Sequence, residues 1–97
     1  MRIIARKTLR VYWDIHPEIR QALQAWYHDV RRADWRSPND VKSIYANASI
    51  IGNDRVVFNI KGNRYRLVVV ISYRHGIVFI RFIGTHREYD PIDAERI

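Results

Sequence analysis

Residues 55–89 read RVVFNIKGNRYRLVVVISYRHGIVFIRFIGTHREY, and this stretch decides the fold. Three runs rich in β-branched and aromatic residues follow one another, over 55–61, 64–73 and 77–84. Gly62-Asn63 joins the first pair, and a short turn around Arg74-His75-Gly76 joins the second. Glycine takes the positive φ that a two-residue type II′ turn needs, so the spacing predicts a three-stranded antiparallel meander.

Register follows from that turn. A two-residue loop at Gly62-Asn63 sets Lys61 against Arg64, Asn59 against Arg66 and Val57 against Val68. Side chains alternate faces with period two, which predicts one face carrying Asn59, Lys61, Arg64 and Arg66. The other face carries Val56, Phe58, Ile60, Tyr65, Leu67, Val69 and Ile71 and is apolar throughout. A second two-residue turn extends the pattern. It puts Phe79, Arg81 and Ile83 on the cationic face and Val78, Ile80 and Phe82 on the core face.

Charge is concentrated on the same stretch. From Arg55 to Arg87 there are seven basic residues and no acidic one, against a net charge of +7 for the whole chain. A cationic sheet face calls for a polyanionic partner, and nucleic acid fits best. The blander reading is a solvated strand face that keeps the protein soluble. Fourteen of the seventeen basic residues are arginine, whose planar guanidinium forks onto phosphate and stacks on bases.

Ninety-seven residues suit one domain, 1–97, with a single modest core. No cysteine is present, so disulfides, thiolate metal sites and cysteine nucleophiles drop out, in keeping with a reducing cytoplasm. No apolar run reaches the length of a signal peptide core or a membrane span, so no membrane role is expected.

Ahead of the meander, 1–5 reads as a short strand. Thr8 is placed to cap a short helix bearing Leu9, Tyr12 and Trp13. Pro17 suits the first position of a longer helix whose stripe is Ile19, Ala22, Leu23, Trp26, Val30 and Ala33. That spacing makes Trp13 and Trp26 core residues rather than base-stacking platforms. Ser37-Pro38-Asn39-Asp40 is a helix start, with Val41, Ile44 and Tyr45 expected to point inward. A strand over 49–51 and a turn at Gly52-Asn53-Asp54 lead into the meander. The expected fold is α+β, with the N-terminal helices packed on one face of a mainly antiparallel sheet of four to five strands.

After the last strand comes Gly84-Thr85-His86-Arg87-Glu88-Tyr89-Asp90-Pro91, with Asp90 suited to cap a turn beginning at Pro91. His86 and Tyr89 sit where a strand empties into a loop, a position that holds a side chain firmly yet leaves it accessible. RNA is cleaved without a metal when its own 2′-OH attacks the phosphate. The site must then align that hydroxyl, move its proton, stabilise extra negative charge and protonate the leaving 5′-oxygen. Lys61, Arg64, Arg66 and Arg81 supply cations. His86 supplies an imidazole, a group that titrates near pH 6.5 in the ordinary case, about where proton transfer needs it. Tyr89 can donate a proton or stack on a base. The competing reading of His86 is an ordinary surface histidine. No HExxH, P-loop, GxSxG or GxGxxG pattern occurs, and no metal or cofactor is expected.

The run Val57-Phe58-Asn59-Ile60, then Gly62-Asn63-x-Tyr65-Arg66-Leu67-Val68, then Gly84-Thr85-His86-x-Glu88-Tyr89-Asp90 resembles the HigB-type toxins of bacterial toxin–antitoxin modules. These belong to the wider RelE/ParE-like superfamily. The resemblance implies a RelE-like fold and a ribonuclease that cuts translated mRNA in the ribosomal A site. It implies neutralisation by a cognate HigA-type antitoxin with a helix-turn-helix domain, DNA being reached only through that antitoxin. It also assigns roles. Arg66 takes the place of a superfamily arginine on the scissile phosphate, His86 stands where RelE has an arginine, and Tyr89 approximates a base-stacking tyrosine. Lys61 lies where lysines approach the substrate. Arg66, His86, Lys61 and Tyr89 are therefore the expected catalytic set, with Arg64, Arg81, Asn59, Asn63 and Arg87 expected to contact RNA. Two rival readings share the scaffold: a non-catalytic gyrase poison of the ParE kind, and a plain RNA-binding protein.

Overall fold

The computed structural model describes residues 1–97. Strand β1 (Arg2–Ile4) runs into helix α1 (Arg6–Ile15), a 3-10 turn over Pro17–Ile19 and helix α2 (Arg20–Arg32). Helix α3 (Pro38–Ile44) follows, then β2 (Ser49–Ile50), β3 (Arg55–Ile60), β4 (Tyr65–Ser72), β5 (Ile77–Thr85) and a single helical turn, α4 (His86–Tyr89). The sheet order is β1-β5-β4-β3-β2, antiparallel except where β1 runs parallel to β5. This is the α+β arrangement that the sequence predicts.

Helices α1 and α2 bury their stripes on one face of the sheet. Leu9, Ile19, Leu23, Trp26 and Val30 meet Val56, Phe58, Leu67, Val69, Ile71 and Val78, all nearly free of solvent. Phe58 is the hub. Its ring lies 5.4 Å from Trp26, 6.1 Å from Trp35 and 5.2 Å from Tyr45, centroid to centroid. Trp13 and Trp26 are core residues, as their spacing requires.

Some local expectations need correction. Thr8 does not cap α1, which begins at Arg6 with Ala5 in the cap position and no side-chain cap bond, because β1 leads straight into the helix. Ser37 flanks α3 without capping it; Asp40 Oδ2 instead accepts from the Arg36 N–H at 2.8 Å. Val41 is buried, but Ile44 is 57% exposed, since α3 ends there and it is the next residue, Tyr45, that packs on Phe58.

In the meander, Asn59 pairs with Arg66 and Val57 with Val68, as expected. The connection is a four-residue turn, Lys61 to Arg64, with positive φ at Lys61 (54°) and Gly62 (68°). Four is still even, so the faces of β3 and β4 are preserved. Between β4 and β5 the register shifts: Val69 pairs with Ile80, but Val68 with Phe82. Arg81 is the extra, unpaired residue of a β-bulge, and it reverses every face assignment beyond it. Ile83 therefore joins the core, while Phe82 joins Val57, Val68, Tyr89 and Ala94 on the opposite face. This overturns the expected placing of Ile83 and Phe82.

Candidate active site

The face away from the helices carries a cross-strand row of Asn59, Arg66 and Gly84. Both outer strands are polar or bare at this level, so the half-buried Arg66 is not crowded by bulk. Its Nη1 donates to the carbonyl of Asn63 at 2.9 Å and to that of Tyr65 at 3.4 Å. Two carbonyls therefore aim the guanidinium along the β3–β4 turn. Gly84 is buried for a steric reason: a Cβ there would stand 2.5 Å from Cζ of Phe82. That ring covers the glycine and lies 6.5 Å from the ring of Tyr89, which thus sits on the same face as Arg66.

The ladder runs one step past β5. The N–H of His86 donates to the carbonyl of Arg64 at 2.9 Å, continuing the register that pairs Arg66 with Gly84. His86 is thereby set beside the Arg66 end of the sheet, with its side chain 52% exposed. Its Nδ1 meets Oδ2 of Asp90 at 3.0 Å, one turn along. The contact is an ion pair when the ring carries both its protons. Asp90, expected to cap a turn at Pro91, instead holds this imidazole.

Helix α4 is anchored at its start. Thr85 Oγ1 accepts from the N–H of Glu88 at 3.1 Å, and Glu88 Oε1 accepts from the N–H of Thr85 at 2.7 Å, a complete capping box. The same Glu88 oxygen takes a 3.2 Å hydrogen bond from the Tyr12 hydroxyl, which ties α4 to α1. The Thr85 N–H, more than any other group, holds the Glu88 carboxyl below the usual glutamate range. Burial first, and then Glu88, pushes the Tyr12 phenol up, so it stays a neutral donor. Tyr12 also stacks on His16 at 4.4 Å. Next to it, the Tyr65 hydroxyl donates to Glu18 at 2.6 Å, lowering the Glu18 carboxyl and raising the phenol.

Arg66 and Asn59 therefore share a cross-strand row, Tyr89 leans on the same face through Phe82, and the His86 backbone is joined to the strand end beside them. Asn63 contributes its carbonyl to Arg66, and Arg64 and Arg87 are exposed to either side of His86 in the ladder and the helix. Two expected members depart. Lys61, in its left-handed conformation, turns to the helix side and donates to the carbonyl of Glu18 at 2.9 Å. Arg81 lines a groove against Val11 and Ile15 of α1, because the bulge removes it from the strand's alternation. The reading of the sequence missed Asp90, Glu88 and Tyr12 as supports. Thr85-x-x-Glu88 is the signature of a capping box and was legible. The reach of Tyr12 across 76 residues was not. No cluster of three His, Cys, Asp or Glu side chains suited to a metal is present, and no helix is long and apolar enough to cross a membrane.

A family model described as HigB_toxin, RelE-like toxic component of a toxin-antitoxin system, matches residues 19–92. The chain belongs to the HigB toxin family. The matched span holds Asn59, Arg66, Gly84, His86, Tyr89 and Asp90, while Tyr12, His16 and Glu18 lie outside it. The mRNA interferase toxin HigB of Escherichia coli (strain K12) is 25% identical over 96 residues, covering 97% of this chain and 92% of the relative. The mRNA interferase HigB of Shigella flexneri gives the same figures. That of Escherichia coli O6:H1 is 23% identical over 94 residues, with 95% and 91% covered. As the toxic component of a two-part system, a HigB family toxin has a cognate antitoxin for a partner.

Proposed function

We propose that this HigB family toxin is an endoribonuclease that cuts translated mRNA in the ribosomal A site. The observation that carries the reading is the ladder that pairs Arg66 with Gly84 and hangs the His86 N–H on the carbonyl of Arg64: it brings to one strand end a guanidinium held by two carbonyls and an imidazole that meets Asp90. In the reaction the 2′-oxygen of the substrate attacks the adjacent phosphorus, and the bond to the 5′-oxygen breaks. The products are a 2′,3′-cyclic phosphate and a 5′-hydroxyl. Nε2 of His86 carries the proton between these oxygens, Arg66 stabilises the charge on the phosphorane-like state, and Tyr89 stacks on a base. Arg64, Arg87, Asn59 and Asn63 bind the strand on either side. Lys61 and Arg81 act only as nearby charges that attract RNA. The ribosome presents the substrate, since an open face of this kind offers little to bend free RNA into line. The partner that silences it is a HigA-like helix-turn-helix antitoxin, and the setting is the cytoplasm.

Mapping the 5′ ends of a translated transcript tests the proposal. Arg66→Ala and His86→Ala should each lower cleavage on the order of 10²- to 10⁴-fold with thermal unfolding unchanged. Wild-type cutting by both variants would discard the assignment. A gyrase poison would instead block DNA supercoiling and leave transcripts whole; it has no use for the oriented imidazole.

A further inference from the structure

Beside the Arg66 row lies a cleft of about 400 Å³ between the segment Tyr45–Ala48 and the β3–β4 turn. Asn47, Asn59 and Asn63 line it, together with Tyr45 and the strand edge at Phe58. None of its lining residues is charged. The Phe58 ring itself is buried in the core, and Tyr45 is the aromatic wall, fixed by its hydroxyl, which donates to Asp29 at 3.1 Å. The hydrogen bond across the cleft is weak, Asn59 Nδ2 to the backbone carbonyl of Asn47 at 3.5 Å, so a ligand displaces it at little cost.

The cleft also exposes strand edge. Strand β2 pairs with β3 only at Val56 and Val57, so from Phe58 onward no strand covers β3 on that side. At the rim stands Arg66, whose Cα partner is Asn59 and whose guanidinium bonds the carbonyl of Asn63. Carboxamides offer donors and acceptors together. A neutral cleft with such groups, one aromatic wall and a cation at its mouth suits a planar, uncharged, hydrogen-bonding group that hangs from an anionic chain. Its volume lies within the range of about 300–1,000 Å³ common for small-molecule sites.

We propose that this cleft is a nucleobase subsite. It receives the unpaired base of the nucleotide next to the phosphodiester held by Arg66, and it makes Asn47 a specificity residue. The inference rests on the reading of Arg66 as the phosphate contact and adds to it the place where the base goes.

The test is a titration of the ¹⁵N-labelled full chain, followed by NMR. The probe is a single-stranded 2′-O-methyl RNA tetranucleotide, which cannot be cleaved, set beside the same backbone with abasic sugars. With bases present, the side-chain amides of Asn47, Asn59 and Asn63 should shift and saturate together with Nε of Arg66. The abasic backbone should move Arg66 alone. Asn47→Ala should weaken binding of the base-bearing probe roughly tenfold, the effect of losing one such hydrogen bond, and leave the abasic probe unaffected. Equal shifts of the three amides with both probes, or shifts at Arg66 only, would overturn the base subsite while leaving the phosphate contact standing. Amide shifts with Arg66 unmoved would keep the subsite and remove the phosphate contact.

Discussion

His86 Nδ1 stands 3.0 Å from Asp90 Oδ2, so the imidazole at the end of β5 meets a carboxylate from the end of its own helical turn. Both side chains are about half exposed, and an exposed pair of this kind adds only about 0–1 kcal/mol to stability. Its worth lies in orientation. Asp90→Ala should lower cleavage of translated mRNA by roughly 10- to 100-fold, the usual cost of losing such a support. Thermal unfolding should stay near the wild-type value. Nitrogen chemical shifts of the His86 ring should change as the carboxylate is removed, and an unaltered ring would remove Asp90 from the mechanism.

Thr85 and Glu88 give α4 its start, and they set an acid limit on it. Thr85→Ala should cost about 0.5–2 kcal/mol in urea unfolding, the range for a lost cap. The Glu88 carboxyl is held low in the folded chain. Its contribution is therefore complete above the ordinary glutamate pKa and is lost as pH falls through the depressed folded value. Unfolding midpoints taken below about pH 4.5 should decline less steeply in Glu88→Gln than in wild type. Parallel curves would mean that the cap does not titrate with folding.

Gly84→Ala tests how the open face is floored. The added carbon would meet the Phe82 ring at 2.5 Å, and that ring leans on Tyr89. Overpacking of this kind costs on the order of 1–3 kcal/mol, and the displaced ring should shift Tyr89, so cleavage should fall as well. Adding Phe82→Ala should recover most of the lost stability. A double variant no more stable than Gly84→Ala alone would place the clash elsewhere.

Phe58 joins Trp26, Trp35 and Tyr45 in one aromatic cluster. Phe58→Ala should remove about 3–5 kcal/mol, enough to unfold many domains of this size, and calorimetry would show it as a lost or strongly lowered transition. A shift of only a few degrees would mean that the three neighbours repack.

The meander was legible because apolar alternation and glycine turns are local signals. The pairing of Asn59 with Arg66 follows from loop parity alone, and the burial of Trp26 from its place in a helical stripe. Other features depend on contacts distant in sequence. Lys61 looks like any strand cation until Glu18 offers it a carbonyl, and Tyr12 reaches Glu88 only once α1 lies along β5. His86 and Asp90 are four apart, a spacing that pairs side chains only on a helix. Sequence reading placed those residues in a loop, and so the pair was missed. The bulge was invisible for another reason: a single extra residue, Arg81, inside an otherwise apolar strand leaves its flanking turns unchanged and reads as one more outward-facing side chain.

That bulge makes strand length, more than the identity of Arg81, the control on where the imidazole ends up. In an unbroken register that paired Arg81 with Val68, Arg66 would face an isoleucine in place of Gly84, and the whole strand end would present its other side. Exchanging or excising Arg81 should leave the pairs on either side of it intact, whereas one further residue inserted between Phe82 and Ile83 should turn the strand end over and bring Ile83 out of the core. Insertions beyond the bulge, rather than point changes within it, are the lesions this toxin should tolerate worst.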